Sequence, residues 1–185
     1  MKIAITGHTK GIGKCMKDLL EKDGHEVVGA STSTGINVMR TKSVINWIEK
    51  ENPDVFINNV YAPDSQCHIL YQLYEKWQYE DKLIINLSST SGESHTHFQQ
   101  MGYNKDWTPY VSDKARLNFA SLYLSEMVQW VINGPKHMQI KVLSFNTGNS
   151  TIAARRDRQY ETKAVAVNDQ LFGQNFSQTW DGKEK

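Results

Sequence analysis

The reading of the chain turns on Lys2-Ile3-Ala4-Ile5-Thr6-Gly7-His8-Thr9-Lys10-Gly11-Ile12-Gly13. Its opening is a short apolar run suited to a buried strand, and 13–22 then carries Met16, Leu19 and Leu20 at helical spacing. Between them lies a turn spaced Gly-x-x-x-Gly-x-Gly. Glycine lets the backbone reverse tightly and approach a phosphate closely, and the helix N-terminus turns its positive dipole end toward that anion. The spacing differs from Gly-x-Gly-x-x-Gly, and no Gly-Lys-Ser/Thr stands at the Walker offset, which disfavours phosphoryl transfer. A strand–turn–helix of this build suits the pyrophosphate of a dinucleotide, with Gly7, His8, Thr9, Lys10, Gly11, Ile12 and Gly13 as the cradle. The plainer alternative is a glycine-rich corner that binds nothing, and His8 faces either phosphate or solvent.

Outward from that turn, strand candidates recur at 26–30, 54–58, 83–87 and 140–145, each β-branched or leucine-rich enough to be buried on both faces. Helical periodicity fills the gaps. The 41–51 stretch carries Val44, Trp47 and Ile48 behind a Thr41 cap. The 65–77 stretch aligns Ile69, Leu70, Leu73 and Trp77, and 110–132 is the longest pattern, stopped by Asn133-Gly134-Pro135. Strands alternating with crossover helices predict an α/β fold, a Rossmann-like doubly wound parallel sheet in three αβα layers. No repeat or linker divides the chain, so 1–185 reads as one nucleotide-binding domain, with 150–185 a poorly patterned tail.

Composition narrows the function. The 185 residues include 39% hydrophobic ones, enough for a core without disulfides, and 21 basic against 20 acidic side chains leave a net charge of +1. Such a balance supplies no field for nucleic acid or an anionic membrane. Two cysteines, Cys15 and Cys67, make no disulfide framework, and no apolar run has the length of a signal-peptide core or a membrane span. A soluble, cytoplasmic chain is expected.

The coenzyme is argued from the end of the second strand. Dinucleotide enzymes that select NAD place a carboxylate there for the ribose 2′-hydroxyl. Here the segment is Ala30-Ser31-Thr32-Ser33-Thr34, without an acid. Ser31 and Thr32, with Lys10, suit a 2′-phosphate that a carboxylate would repel, so NADP is preferred and NAD stays open. The bland alternative is a solvated lysine beside a flexible hydroxyl-rich turn.

Tyr110 and Lys114, four apart at the start of the long helix, share one helix face. An ammonium near a phenol favours phenolate, which suits Tyr110 to give a proton to a carbonyl or take it back. Tyr-x-x-x-Lys alone arises by chance roughly once in a chain of this composition, so position must supply the specificity. It does: the pair follows a strand ending Asn86-Leu87-Ser88-Ser89-Thr90-Ser91-Gly92, which puts hydroxyls at the carboxyl end of the sheet.

Taken in order, Thr6-Gly7-x-x-x-Gly11-Ile12-Gly13, Asn58-Asn59, Ser88-Ser89-x-x-Gly92 and Tyr110-x-x-x-Lys114 resemble the short-chain dehydrogenase/reductase family over about residues 1–150. The resemblance implies a Rossmann sheet and a carbonyl/alcohol oxidoreductase. Ser89 would bond the substrate oxygen, Tyr110 would transfer the proton, and Lys114 would hold the nicotinamide ribose while tuning Tyr110. Asn58, Asn59, Thr147, Gly148 and Thr151 would join the coenzyme site. The opposing reading is a nucleotide-binding sensor or interaction protein that kept the cradle without efficient chemistry. A sugar-nucleotide-modifying relative fits the glycine spacing less well.

The pattern departs from the family in several places. Asn58-Asn59-Val60-Tyr61 stands where the family has Asn-Asn-Ala-Gly, and the family's helical relay asparagine has no counterpart between Tyr61 and Ile85. Residues 93–107 lengthen the path from Ser89 to Tyr110 and suggest a flap or a partner surface. Asn146-Thr147-Gly148 replaces proline with Thr147, and Thr151 sits one position early. Since the chain is short for the family, a subunit in a homodimer or homotetramer is expected to complete the substrate wall, with the long helix and its Leu117, Leu124 and Val128 as one candidate interface. The same residues serve equally as intramolecular core. His95 and His97 lack a clear third ligand, so no metal is assigned. Arg155, Arg156 and Arg158 read as an exposed basic turn and Cys67 as helix packing.

Overall fold

The computed structural model describes residues 1–92, 108–130 and 141–146. They form one five-stranded parallel sheet in the order β2-β1-β3-β4-β5. The strands are β1 Lys2–Thr6, β2 Glu26–Ala30, β3 Val55–Asn58, β4 Leu83–Ser88 and β5 Lys141–Asn146. The helices are α1 Gly11–Lys22, α2 Thr41–Glu51, α3 Ser65–Trp77 and α4 Thr108–Trp130. The chain therefore has a Rossmann-like doubly wound α/β fold, as the alternating pattern predicts.

Alternation along the strands decides what each face buries, because successive side chains point to opposite sides. Ile3, Ile5, Val55, Ile57, Leu83, Ile85 and Leu87 pack with Met16 and Leu20 of α1 on one side. Ala4, Phe56 and Ile84 meet α2, α3 and α4 on the other, through Val44, Ile48, Leu70, Leu73 and Leu117. Both faces of β3 and β4 are sealed, which is why those strands read as unbroken apolar runs. No described helix is long and apolar enough to cross a membrane.

The sheet order sets the site. β1 pairs with β2 on one side and β3 on the other, so the winding direction reverses between β1 and β3. At such a reversal the connections leave to opposite faces, and a crevice opens beyond the carboxyl ends of the two strands. The glycine turn follows β1 and Asn59-Val60 follows β3, at that crevice.

Some boundaries need correction, and one open alternative is decided. Thr41 does not cap α2 but is its first residue; Arg40 occupies the cap position without a side-chain cap bond. The helix stops instead at Asn52, whose φ of 45° takes the left-handed conformation asparagine tolerates and whose N–H donates to Ile48 O. Helix α1 starts at Gly11, two residues early, inside the glycine run. Leu117 and Leu124 belong to the core, while Phe119, Leu122 and Tyr123 are exposed among the described side chains of α4, with Phe119 70% exposed and stacked on Tyr123. Thr147, Gly148, Thr151, the 93–107 segment with His95 and His97, the 133–135 stop and the 150–185 tail lie outside the described residues, as does the side chain of Val128.

Candidate active site

The turn after β1 is tight because its side chains are missing where backbone must pass. A Cβ on Gly13 would stand 2.2 Å from Gly7 O and 2.7 Å from Asn59 Nδ2. Gly7, at φ 75°, leaves room for Val60: a Cβ there would lie 2.1 Å from Val60 Cγ2. The position where the family has alanine thus fills the hollow over Gly7. Gly11 differs, since its φ of 59° favours glycine although a Cβ there would meet nothing within 4 Å.

Thr6 joins the two strand ends. Its Oγ1 accepts from Asn59 N at 3.0 Å and Val60 N at 3.1 Å, and its carbonyl accepts from Asn59 Nδ2 at 2.8 Å. Asn59 therefore fixes the crevice by bonding the backbone. Asn58 turns the other way, into the buried network described below.

A cavity of about 720 Å³ opens over the turn, lined by Gly7, Thr9, Lys10, Gly11, Ile12 and Gly13 on one side and Ser31, Thr32, Ile36 and Val38 on another. No side chain caps the α1 N-terminus and no acid lies in its first turn, so its N–H groups are oriented for an anion. The residues fit a dinucleotide: a cradle that side chains at Gly7 and Gly13 would fill, an uncapped helix end, and no carboxylate among the lining residues described. Ser31 opens the 3₁₀ turn Thr32–Thr34, where its N–H donates to Thr34 Oγ1 at 2.9 Å and its hydroxyl meets Ser33 Oγ at 2.7 Å. His8 is placed elsewhere: its ring packs on Gly29, where a Cβ would come within 2.1 Å, and it is not among the lining residues.

Tyr61 joins this cavity to the second cluster. It lines the cavity, and its ring meets Tyr110 edge-on, with centroids 4.8 Å apart at 77°. Its hydroxyl donates to Asp113 Oδ2 at 3.2 Å, and that oxygen also accepts from Asp64 N at 3.1 Å. Burial and the Asp113 carboxylate push the Tyr61 phenol up, so it stays a donor. Arg116 pairs with Asp64 and, at 3.5 Å, with Asp113, which ties α4 to the start of α3.

Lys114 sits behind the two phenol rings, 5.7 Å from each centroid and only 3% exposed. Its Nζ donates to Gln66 Oε1 at 2.7 Å and Leu87 O at 2.8 Å. Desolvation pulls its pKa down to about 8, against smaller opposing effects of Cys67 and Asp113. The structure brings Tyr110 and Lys114 together, as their spacing predicts. Ser89 stands two residues beyond the carbonyl that Lys114 binds, at the carboxyl end of β4. Its hydroxyl donates to Ser91 Oγ at 3.1 Å and accepts from Ser91 N at 3.2 Å. Gly92 lets that turn touch α4, since a Cβ would lie 2.5 Å from Ala115 N.

Sequence reasoning missed Gln66, Tyr61, Ile36 and Val38. A signal existed for Gln66: it precedes Ile69, Leu70 and Leu73 by three, four and seven residues, a polar side chain on the apolar stripe of α3. Tyr61 was visible only as a departure from a motif.

The fold and the crevice define an open, doubly wound parallel α/β architecture. Solved short-chain dehydrogenase/reductases share this fold. A short-chain dehydrogenase/reductase from Vibrio parahaemolyticus matches with a TM-score of 0.66 at 12% identity, over 90% of this chain and 91% of that one. One from Serratia marcescens matches at 0.64 and 16%, over 95% and 90%. The 3-alpha-hydroxysteroid dehydrogenase of a Pseudomonas species, complexed with NADH, matches at 0.63 and 16%, over 95% and 90%. No sequence-family profile matches the chain, and no curated protein does.

Proposed function

We propose that this protein is an NADP(H)-dependent oxidoreductase that interconverts a small-molecule carbonyl and its alcohol. The observation that carries the reading is the Lys114 ammonium 5.7 Å from the Tyr110 ring, joined through Tyr61 to a cavity fitted for a dinucleotide. When bound, the nicotinamide coenzyme supplies or accepts the hydride. Gly7, Thr9, Gly11, Ile12, Gly13 and Asn59 would hold the pyrophosphate end, and Lys10, Ser31 and Thr32 would hold the 2′-phosphate. Tyr110 gives its phenolic proton to the substrate oxygen, or takes it back in the other direction. Lys114 keeps positive charge beside that phenol, and Ser89 hydrogen-bonds the same oxygen once its hydroxyl turns from Ser91. Two of the structural neighbours with NADH bound, the hydroxysteroid dehydrogenase and a 3-ketoacyl-(acyl-carrier-protein) reductase from Brucella melitensis, lend support to a nicotinamide coenzyme.

The test pairs an NADPH fluorescence titration with a broad carbonyl screen on wild type and Tyr110→Phe. Turnover is expected to fall by about 10²-fold or more in the variant while NADPH affinity holds within about twofold. Binding by both proteins with no turnover that depends on Tyr110 points to a nucleotide-binding sensor instead, a reading favoured by the attachment of Ser89 to Ser91.

A further inference from the structure

We propose that Gln66 is a positioning residue that holds the Lys114 ammonium in its place behind Tyr110. This rests on the reading of Tyr110 and Lys114 as the reactive pair. Gln66 is 4% exposed, and its amide cannot rotate end for end: Nε2 donates to Asn58 O at 2.8 Å and to Leu87 O at 3.2 Å, both of which only accept. Oε1 is thereby left to face Lys114 Nζ at 2.7 Å. Asn58 holds Gln66 from its other end, since Asn58 Nδ2 donates to Gln66 O at 3.0 Å and to Asn86 Oδ1 at 2.9 Å. Asn86 Nδ2 continues to Ser121 Oγ at 3.1 Å, and Ser121 Oγ donates to Leu117 O at 2.7 Å. The network spans β3, α3, β4 and α4, and Lys114 enters it through one atom of one side chain and a single carbonyl.

No carboxylate bonds Lys114 Nζ among the described residues; both bonds described for it go to neutral oxygens. The titratable groups that face it are Cys67 from α3, Asp113 and Tyr110 from α4, and Tyr61 from the segment after β3. With a lysine held near the neutral range by burial, the dipole of one carboxamide weighs on its charge. Gln66→Met keeps the bulk and removes the acceptor.

The decisive measurement is the Lys114 side-chain titration by NMR in the nucleotide-free full chain, with lysine labelled at Cε and Lys114→Arg identifying the signal. The midpoint is expected to fall by about one pH unit in Gln66→Met, tenfold in proton affinity. Should Gln66→Met not fold, Gln66→Asn withdraws the same carboxamide by one methylene and is expected to lower the midpoint less. In the active protein the pH profile of kcat is expected to move with the NMR midpoint. A midpoint unchanged among folded Gln66 variants, or moved the opposite way, overturns the proposal. A midpoint that moves as stated in a protein without Tyr110-dependent turnover upholds the positioning and removes the catalytic reading.

Discussion

The glycine cradle and the Lys114 network lie at the same end of one sheet and are built on opposite terms. The cradle works by missing side chains: Gly7 and Gly13 leave space for Val60 and for the Gly7 carbonyl, and the helix N–H groups stay uncapped. The network works by filled positions, in which Gln66, Asn58, Asn86 and Ser121 bond one another and backbone carbonyls, although Asn58 Oδ1 is buried without a partner among the described residues. An anion site needs backbone exposed to a ligand, whereas a buried cation needs acceptors held against it from within the protein. The two regions therefore fail differently when one atom is added or removed.

The sharpest contrast lies within the cradle. Gly13→Ala drives a methyl into the Gly7 carbonyl at 2.2 Å, a backbone atom that cannot rotate aside, and is expected to cost roughly 3 kcal/mol of stability together with nucleotide binding. Gly11→Ala meets open space and is expected to cost about 1 kcal/mol, the strain of a positive φ alone. Urea denaturation of both variants checks the pair. Equal losses would show that space does not govern this turn.

Lys114 tests the network through pH. Its proton leaves near pH 8 in the native chain but only near the ordinary 10.5 once unfolded, so unfolding takes up a proton across that window. Stability contributed at this site therefore rises as pH increases from about 8 to 10.5, and is lowest where the buried ammonium is charged. Relative to Lys114→Met, wild type is expected to gain about 3 kcal/mol across that interval, read from denaturation midpoints at fixed ionic strength. A constant difference would show that the lysine is not desolvated.

The smallest effect belongs to the exposed rim of the cradle. Lys10→Ala is expected to weaken NADPH about tenfold and NADH less than about twofold in fluorescence titration, because a solvated lysine contributes one charge-assisted contact to a phosphate. Equal loss for both coenzymes would remove the NADP assignment and leave the cradle argument standing.

Much of the fold was legible because its signals are local. The buried strands announce themselves as runs such as Leu83-Ile84-Ile85, and the helices by stripes such as Ile69, Leu70 and Leu73. Boundaries slipped where a hydroxyl or a glycine has two local roles, as at Thr41 and Gly11. His8 escaped prediction because a turn residue gives no sign of which strand its ring will meet, and here Gly29 leaves the space.

By itself the sequence determined the parallel α/β pattern, the glycine turn and the pairing of Tyr110 with Lys114, since each depends on residues within a few positions of one another. Only the tertiary structure decided that Val60 fills the hollow at Gly7, that Tyr61 meets Tyr110 edge-on, and that Gln66 bonds the Lys114 ammonium. Those contacts join residues from separate strands and helices, and sheet order and helix packing, not spacing along the chain, bring them within reach of one another.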